Sequence, residues 1–171
     1  YEGLFGKHDA AIEFLAASQI LAEDLGIGSA FQQQFISRLE ENAGNKDTLL
    51  RVVGDFFIKN DTYLKGNGQQ DISTLVLIGG WIEGMYLGTD IIDSEANVEG
   101  VREIIVNQKE SLHNIIVLLL NMEASDNVNR LIEQVGELET YYRGIGDKMT
   151  DEEFESIKSK VSQLRADFIS L

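Results

Sequence analysis

Apolar residues in this chain recur at alternating steps of three and four, which places them on one face of an α-helix. Phe154, Ile157, Val161, Leu164, Phe168 and Leu171 form the clearest stripe. Val128, Leu131, Val135, Leu138 and Tyr142 repeat it one helix earlier. Val101, Ile105, Leu112, Ile115, Leu119 and Met122 form a longer one, with Gln108 in one seam position. Such stripes are the core-facing seams of packed antiparallel helices. Proline, which breaks helices, is absent from all 171 residues. No period-two alternation runs far enough to make a sheet.

Start and stop signals cut the chain into about seven helices, expected over 7–25, 29–43, 46–65, 70–92, 95–122, 126–143 and 150–170. Thr150 with Glu153, and Ser29 with Gln32, have the spacing of a capping box. Gly26, Gly44, Gly66 and Gly144 each follow a periodic run, where a left-handed C-cap is expected. The expected fold is therefore all-α: an antiparallel multi-helix bundle forming a single domain over 1–171. The helices near 70–92 and 95–122 are expected at its centre.

The stretch Thr74–Ile92 is nearly long enough and apolar enough to span a bilayer. Gly80, Gly84 and Gly88 are spaced as in close helix–helix contacts. A central Glu83 opposes insertion by roughly 2.5–3.5 kcal/mol if it behaves as Asp does on insertion scales, and no basic flank sets an orientation. The expected role is a buried soluble helix whose three glycines admit a neighbouring backbone.

Fourteen Lys and Arg face 29 Asp and Glu, a net charge of −15, and ten acids lie between Glu123 and Glu155 against Arg130, Arg143 and Lys148. Without clustered cations, binding to nucleic acid or to an anionic membrane surface is disfavoured. There is no cysteine, which removes disulfides, thiolate metal sites and cysteine nucleophiles. A chain beginning at Tyr1 is expected to be a mature or trimmed product, a form that leaves room for a removed signal peptide or lipidated N-terminus.

Candidate chemistry centres on Glu83, between Trp81 and Tyr86. A carboxylate on an apolar helix lies on its exposed edge, pairs with a base on a neighbouring helix, or works in an interhelical pocket. In the pocket reading Trp81, Glu83, Tyr86 and His113 surround a ligand. Glu110 and His113 form a Glu-x-x-His step, but a di-iron bundle needs that step twice, and the other histidine, His8, has no Glu three residues before it. No P-loop, His-Glu-x-x-His or Gly-x-Ser-x-Gly motif occurs. No metal or cofactor is expected. Asn60-Asp61-Thr62 fits a glycosylation sequon but overlaps a helix end.

One internal similarity pairs Thr62-Tyr63-Leu64-Lys65-Gly66-Asn67-Gly68 with Thr140-Tyr141-Tyr142-Arg143-Gly144-Ile145-Gly146. Upstream, Asp47 and Arg51 match Asp126 and Arg130 at nearly the same offset. Either a multi-helix unit has been duplicated, relating about 46–68 to 125–146, or two helices converge on the same C-terminal chemistry.

Gly79-Gly80-Trp81-Ile82-Glu83-Gly84, with Leu21-Ala22-Glu23-Asp24-Leu25-Gly26 and Asp61-Thr62-Tyr63-Leu64, resembles a group of uncharacterised helical proteins. These are predicted secreted proteins or lipoproteins of Gram-negative, Bacteroidetes-type bacteria. The resemblance covers most of the chain and assigns no activity to any residue. It implies a place outside the cytoplasm, with an N-terminal lipid anchor beyond this sequence. The leading expectation is a non-enzymatic extracytoplasmic binding module with a protein partner or a second copy. The alternatives are a small-molecule or enzymatic bundle around Glu83, and a cytoplasmic helical scaffold or regulatory domain.

Overall fold

The computed structural model describes residues 18, 20–26, 29–42, 45–91, 98–146 and 148–170. Seven described helices follow one another: α1 (Ser29–Glu41), α2 (Lys46–Gly66), α3 (Gln70–Ile91), α4 (Val98–Val106), α5 (Lys109–Leu120), α6 (Asp126–Arg143) and α7 (Asp151–Ile169). No strand occurs among the described residues, so the all-α expectation holds. Most of the helix expected over 7–25, the cap at Gly44 and the side chains of the Ser29–Gln32 capping box lie outside the described residues. No described helix is long and apolar enough to cross a membrane.

The chain divides into two compact units, Tyr1–Ser73 and Thr74–Leu171. In the first, α1 and α2 run antiparallel, with Phe35 stacked on Phe56 and Arg38 3.2 Å from Asp55. Asn45 caps α2 by accepting the Thr48 N–H. Ala22 and Leu64 form a small buried cluster with Leu25 and Ile72 against it. Asn60 is buried within α2, a position no glycan can occupy without unfolding the turn around it.

The second unit holds the larger core. The α6 stripe of Val128, Leu131, Val135, Leu138 and Tyr142 is buried throughout, as are Phe154, Ile157, Val161 and Leu164 of α7. Leu112, Ile115 and Leu119 of α5 and Ile78, Ile82 and Met85 of α3 complete it. Local sequence starts these helices. Ser125 accepts the Val128 N–H, and Thr150 with Glu153 forms a reciprocal capping box. The Lys109–Ile145 and His113–Glu139 contacts make α5 and α6 antiparallel; those of Gln134 with Asp167 and Lys160 with Tyr141 do the same for α6 and α7.

Three expectations need correcting. The helix expected over 95–122 breaks at Asn107 and Gln108. The Gln108 N–H turns back to the Ile105 carbonyl, a tight three-residue step, while its side-chain amide donates to the Ile104 carbonyl. Such side-chain competition for the backbone weakens helix continuity. The left-handed cap forms at Gly26 (φ 76°) but not at Gly66 or Gly144. Gly68 (φ 75°) takes the position after α2 instead. Finally, α3 is buried on one face only. Gly80 and Gly84 are exposed, and no described atom lies within 4 Å of where a Cβ on Gly84 or Gly88 would stand. The close approach falls at Gly79, whose added Cβ would stand 3.0 Å from the Phe168 ring.

Candidate functional site

The carboxylate of Glu83 meets α7 rather than a pocket. Arg165 Nε donates to one Glu83 oxygen at 2.5 Å and Nη2 to the other at 3.2 Å, a two-pronged match of planar groups. The Arg165 guanidinium also lies 4.4 Å from the centre of the Tyr86 ring, a cation–π distance. Hydrogen bonding to Glu83 holds the Arg165 pKa above its ordinary value. Both side chains remain partly exposed, 33% for Arg165 and 43% for Glu83. Of the three placements open to Glu83, pairing with a base on a neighbouring helix is the one observed.

Trp81 and His113 go elsewhere. Trp81 Nε1 donates to Gln108 Oε1 at 3.0 Å, joining α3 to the break between α4 and α5. His113 is exposed and stands 3.3 Å from Glu139, which also binds Arg143 at 2.8 Å. Burial alone would raise the Glu139 pKa, but hydrogen bonds from Arg143 and His113 outweigh it and hold the carboxyl below its ordinary value. So Glu83 and Tyr86 share a cluster, while Trp81 and His113 each have separate partners. Glu110 is exposed, His8 lies outside the described residues, and no group of three metal-ligating side chains occurs among the described residues.

Two concavities of the second unit lie between α6 and α7. An open trough of about 650 Å³ is lined by Gly136, Glu137, Thr140, Tyr141, Gly144, Ile145, Glu153 and Lys160. A second hollow of about 310 Å³ shares Glu137 and Lys160 with it and reaches Gln134 and Gln163. Trp81, Glu83, Tyr86 and His113 line neither. Sequence reasoning missed this trough because residues of α6 and α7 become its two walls only once the helices pack. The one legible sign was Gly136, a glycine in the middle of a well-capped helix. Compared with protein-family models, curated proteins and solved structures, the chain matches none.

Proposed function

We propose that this chain is a non-enzymatic helical interaction module that works through its surface. The observation that carries the reading is the fate of Glu83: the central carboxylate of the apolar helix is taken up by Arg165 and lines neither trough. His113 and Trp81 are likewise engaged apart from it, so the grouping needed for a pocket around Glu83 is not assembled. Large apolar side chains stand exposed in the same unit, with Leu77 on α3 and Leu120 on α5 more than half accessible. Exposed apolar surface of this kind serves protein contacts when it is contiguous.

The proposed setting is extracytoplasmic, in the envelope of a Gram-negative bacterium, with a lipid-anchored N-terminus beyond this sequence and a protein partner or second copy. It rests on the family resemblance alone. Membrane fractionation of the full-length gene product tests it, and recovery in the cytosolic fraction would reject it. For the activity, affinity capture with cross-linking should yield a partner that re-forms a complex from purified components, or a homo-oligomer by light scattering. Glu83→Gln should leave that complex intact. A monomer that captures nothing, and binds a small molecule in a Glu83-dependent manner, would overturn the reading.

A further inference from the structure

The α6/α7 trough combines an open shape, an apolar floor and a charged lining of Glu137, Glu153 and Lys160. Gln134 to Ile145 spans about 16 Å along the helix at 1.5 Å per residue, room for about five residues of extended peptide. Its floor includes the half-buried Tyr141 with Ile145, and buried Leu138 and Leu164 line the adjoining hollow. Gly136 keeps it open. It lies inside α6 with φ outside the left-handed region, and nothing stands within 4 Å of the Cβ it lacks. Neither backbone geometry nor packing requires glycine there, and glycine is a poor helix former. Local rules broken without a structural reason tend to mark functional positions.

The charges differ in availability. The Glu153 carboxylate is occupied by the Thr150 N–H and hydroxyl at 2.8 and 3.0 Å. Glu137 is exposed and has no ion pair among the described residues, while Lys160 Nζ lies 5.6 Å from the centre of the Tyr141 ring. Exposed Glu133, Glu152 and Glu155 belong to the same two helices, while Asp151 is paired with Arg102 at 2.6 Å. The aromatic face thus already accommodates a cation, beside a free carboxylate in the most acidic part of the chain.

We propose that this trough docks a short basic segment of a partner protein, its cationic side chains pairing with Glu137 and its apolar side chains lying over Tyr141 and Ile145. The inference rests on the interaction-module reading and deepens it by naming the place and the partner chemistry.

The test titrates the full chain into a fluorescein-labelled hexapeptide of alternating Lys and Leu, followed by anisotropy. The Glu/Leu counterpart and hexalysine serve as comparison probes. The Lys/Leu peptide should bind saturably, and Gly136→Leu, which fills the trough, and Glu137→Lys should each weaken it at least about tenfold. Gly84→Leu, at an equally open helical glycine on α3, should leave binding unchanged. Circular dichroism confirms that each variant folds, and Gly136→Ala, a smaller plug, should give a smaller loss. The proposal is overturned if the Glu/Leu peptide or hexalysine binds as tightly, if Gly84→Leu weakens binding as much as Gly136→Leu does, or if no peptide binds. A captured partner whose complex survives Gly136→Leu would remove the trough and leave the interaction module standing.

Discussion

The two matched stretches, one ending α2 and the other ending α6, share their local chemistry up to the last turn and then part. The Thr62 and Thr140 hydroxyls each donate at 2.8 Å to the carbonyl four residues back. Leu64 and Tyr142 are both fully buried. The likeness also extends one residue beyond the paired segments: Lys65 binds Asp61 and Arg143 binds Glu139, each pair four residues apart. Then α2 closes in a Schellman motif, with the Gln69 N–H on the Leu64 carbonyl and the Gly68 N–H on the Lys65 carbonyl. The α6 end does not. Gly144 keeps right-handed geometry, and Lys109 Nζ reaches the Ile145 carbonyl at 2.7 Å. Similar sequence thus specifies a helix and its buried phase, while the surroundings decide how the exit is closed.

The largest expected contrast between the units lies in their cores. Leu131 belongs to a continuous core shared by α3 to α7, so Leu131→Ala should destabilise its unit by about 2–5 kcal/mol. Leu64 is equally buried, but its described cluster is small, and a smaller site collapses more easily around a cavity. Leu64→Ala should therefore fall at or below the low end of that range. Residue-resolved hydrogen exchange suits the measurement, because two units need not unfold as one. Equal losses would break the contrast.

The helix exits give the next contrast. Gly68 has φ 75°, where a Cβ crowds the backbone, so Gly68→Ala should cost roughly 1–2 kcal/mol. Its counterpart Gly146 is not left-handed and has open space around it, so Gly146→Ala should be nearly neutral by thermal melt. A comparable loss at both sites would mean that the two exits are alike after all.

How much of this was legible in the sequence depends on how far the deciding contact lies along the chain. The stripes of α6 and α7 and the capping box at Thr150 are set by neighbours three or four residues away, and periodicity finds them. The break at Gln108 involves Trp81, and Glu83 is satisfied by Arg165, neither of which local spacing can reveal. Helix α3 misled for a further reason: apolar residues and glycines surround it on every side, so its sequence does not say which face is buried. Phe168 of α7 decides that by covering Gly79 and leaving Gly84 open.

Buried Tyr142 and the more exposed Tyr63 should respond to loss of the hydroxyl in opposite directions. The Tyr142 hydroxyl is buried with no hydrogen-bond partner among the described residues, so Tyr142→Phe should stabilise by about 1 kcal/mol. Tyr63 donates to the Gly26 carbonyl, and Tyr63→Phe should lose about as much. Burial also pushes the Tyr142 phenol well above its ordinary 10.0. A pKa raised in the folded state means that the fold is fully favoured below pH 10 and loses stability as pH climbs beyond it. Phenolate absorbance of Tyr142 should therefore appear together with alkaline unfolding, and Tyr142→Phe should remove that contribution. Free titration of Tyr142 in the folded protein would contradict its burial.

The matched acid–base pairs should give the smallest difference, and its sign with pH is fixed. Hydrogen bonds from Lys65 and Ser73 lower the Asp61 pKa, and those of Arg143 and His113 lower that of Glu139 against the effect of burial. Depressed carboxyl values stabilise the fold above the ordinary values of 3.8 and 4.5, and that stability is lost as pH falls through and below them. The Asp61 side chain is 46% exposed, so solvent screens its pair, and Asp61→Asn should cost well under about 1 kcal/mol. Each carboxylate has two partners, but Glu139 is only 14% exposed, so Glu139→Gln should cost more, about 1 kcal/mol, and depend less on salt. Melts at pH 7 and at pH 3, below both ordinary values, in low and high salt separate the two: each variant's deficit relative to the parent should be smaller at pH 3 than at pH 7. If Asp61→Asn proved the costlier and less salt-sensitive change, its pair would be the more sheltered, and the matched turns would differ in burial as well as in how their helices end.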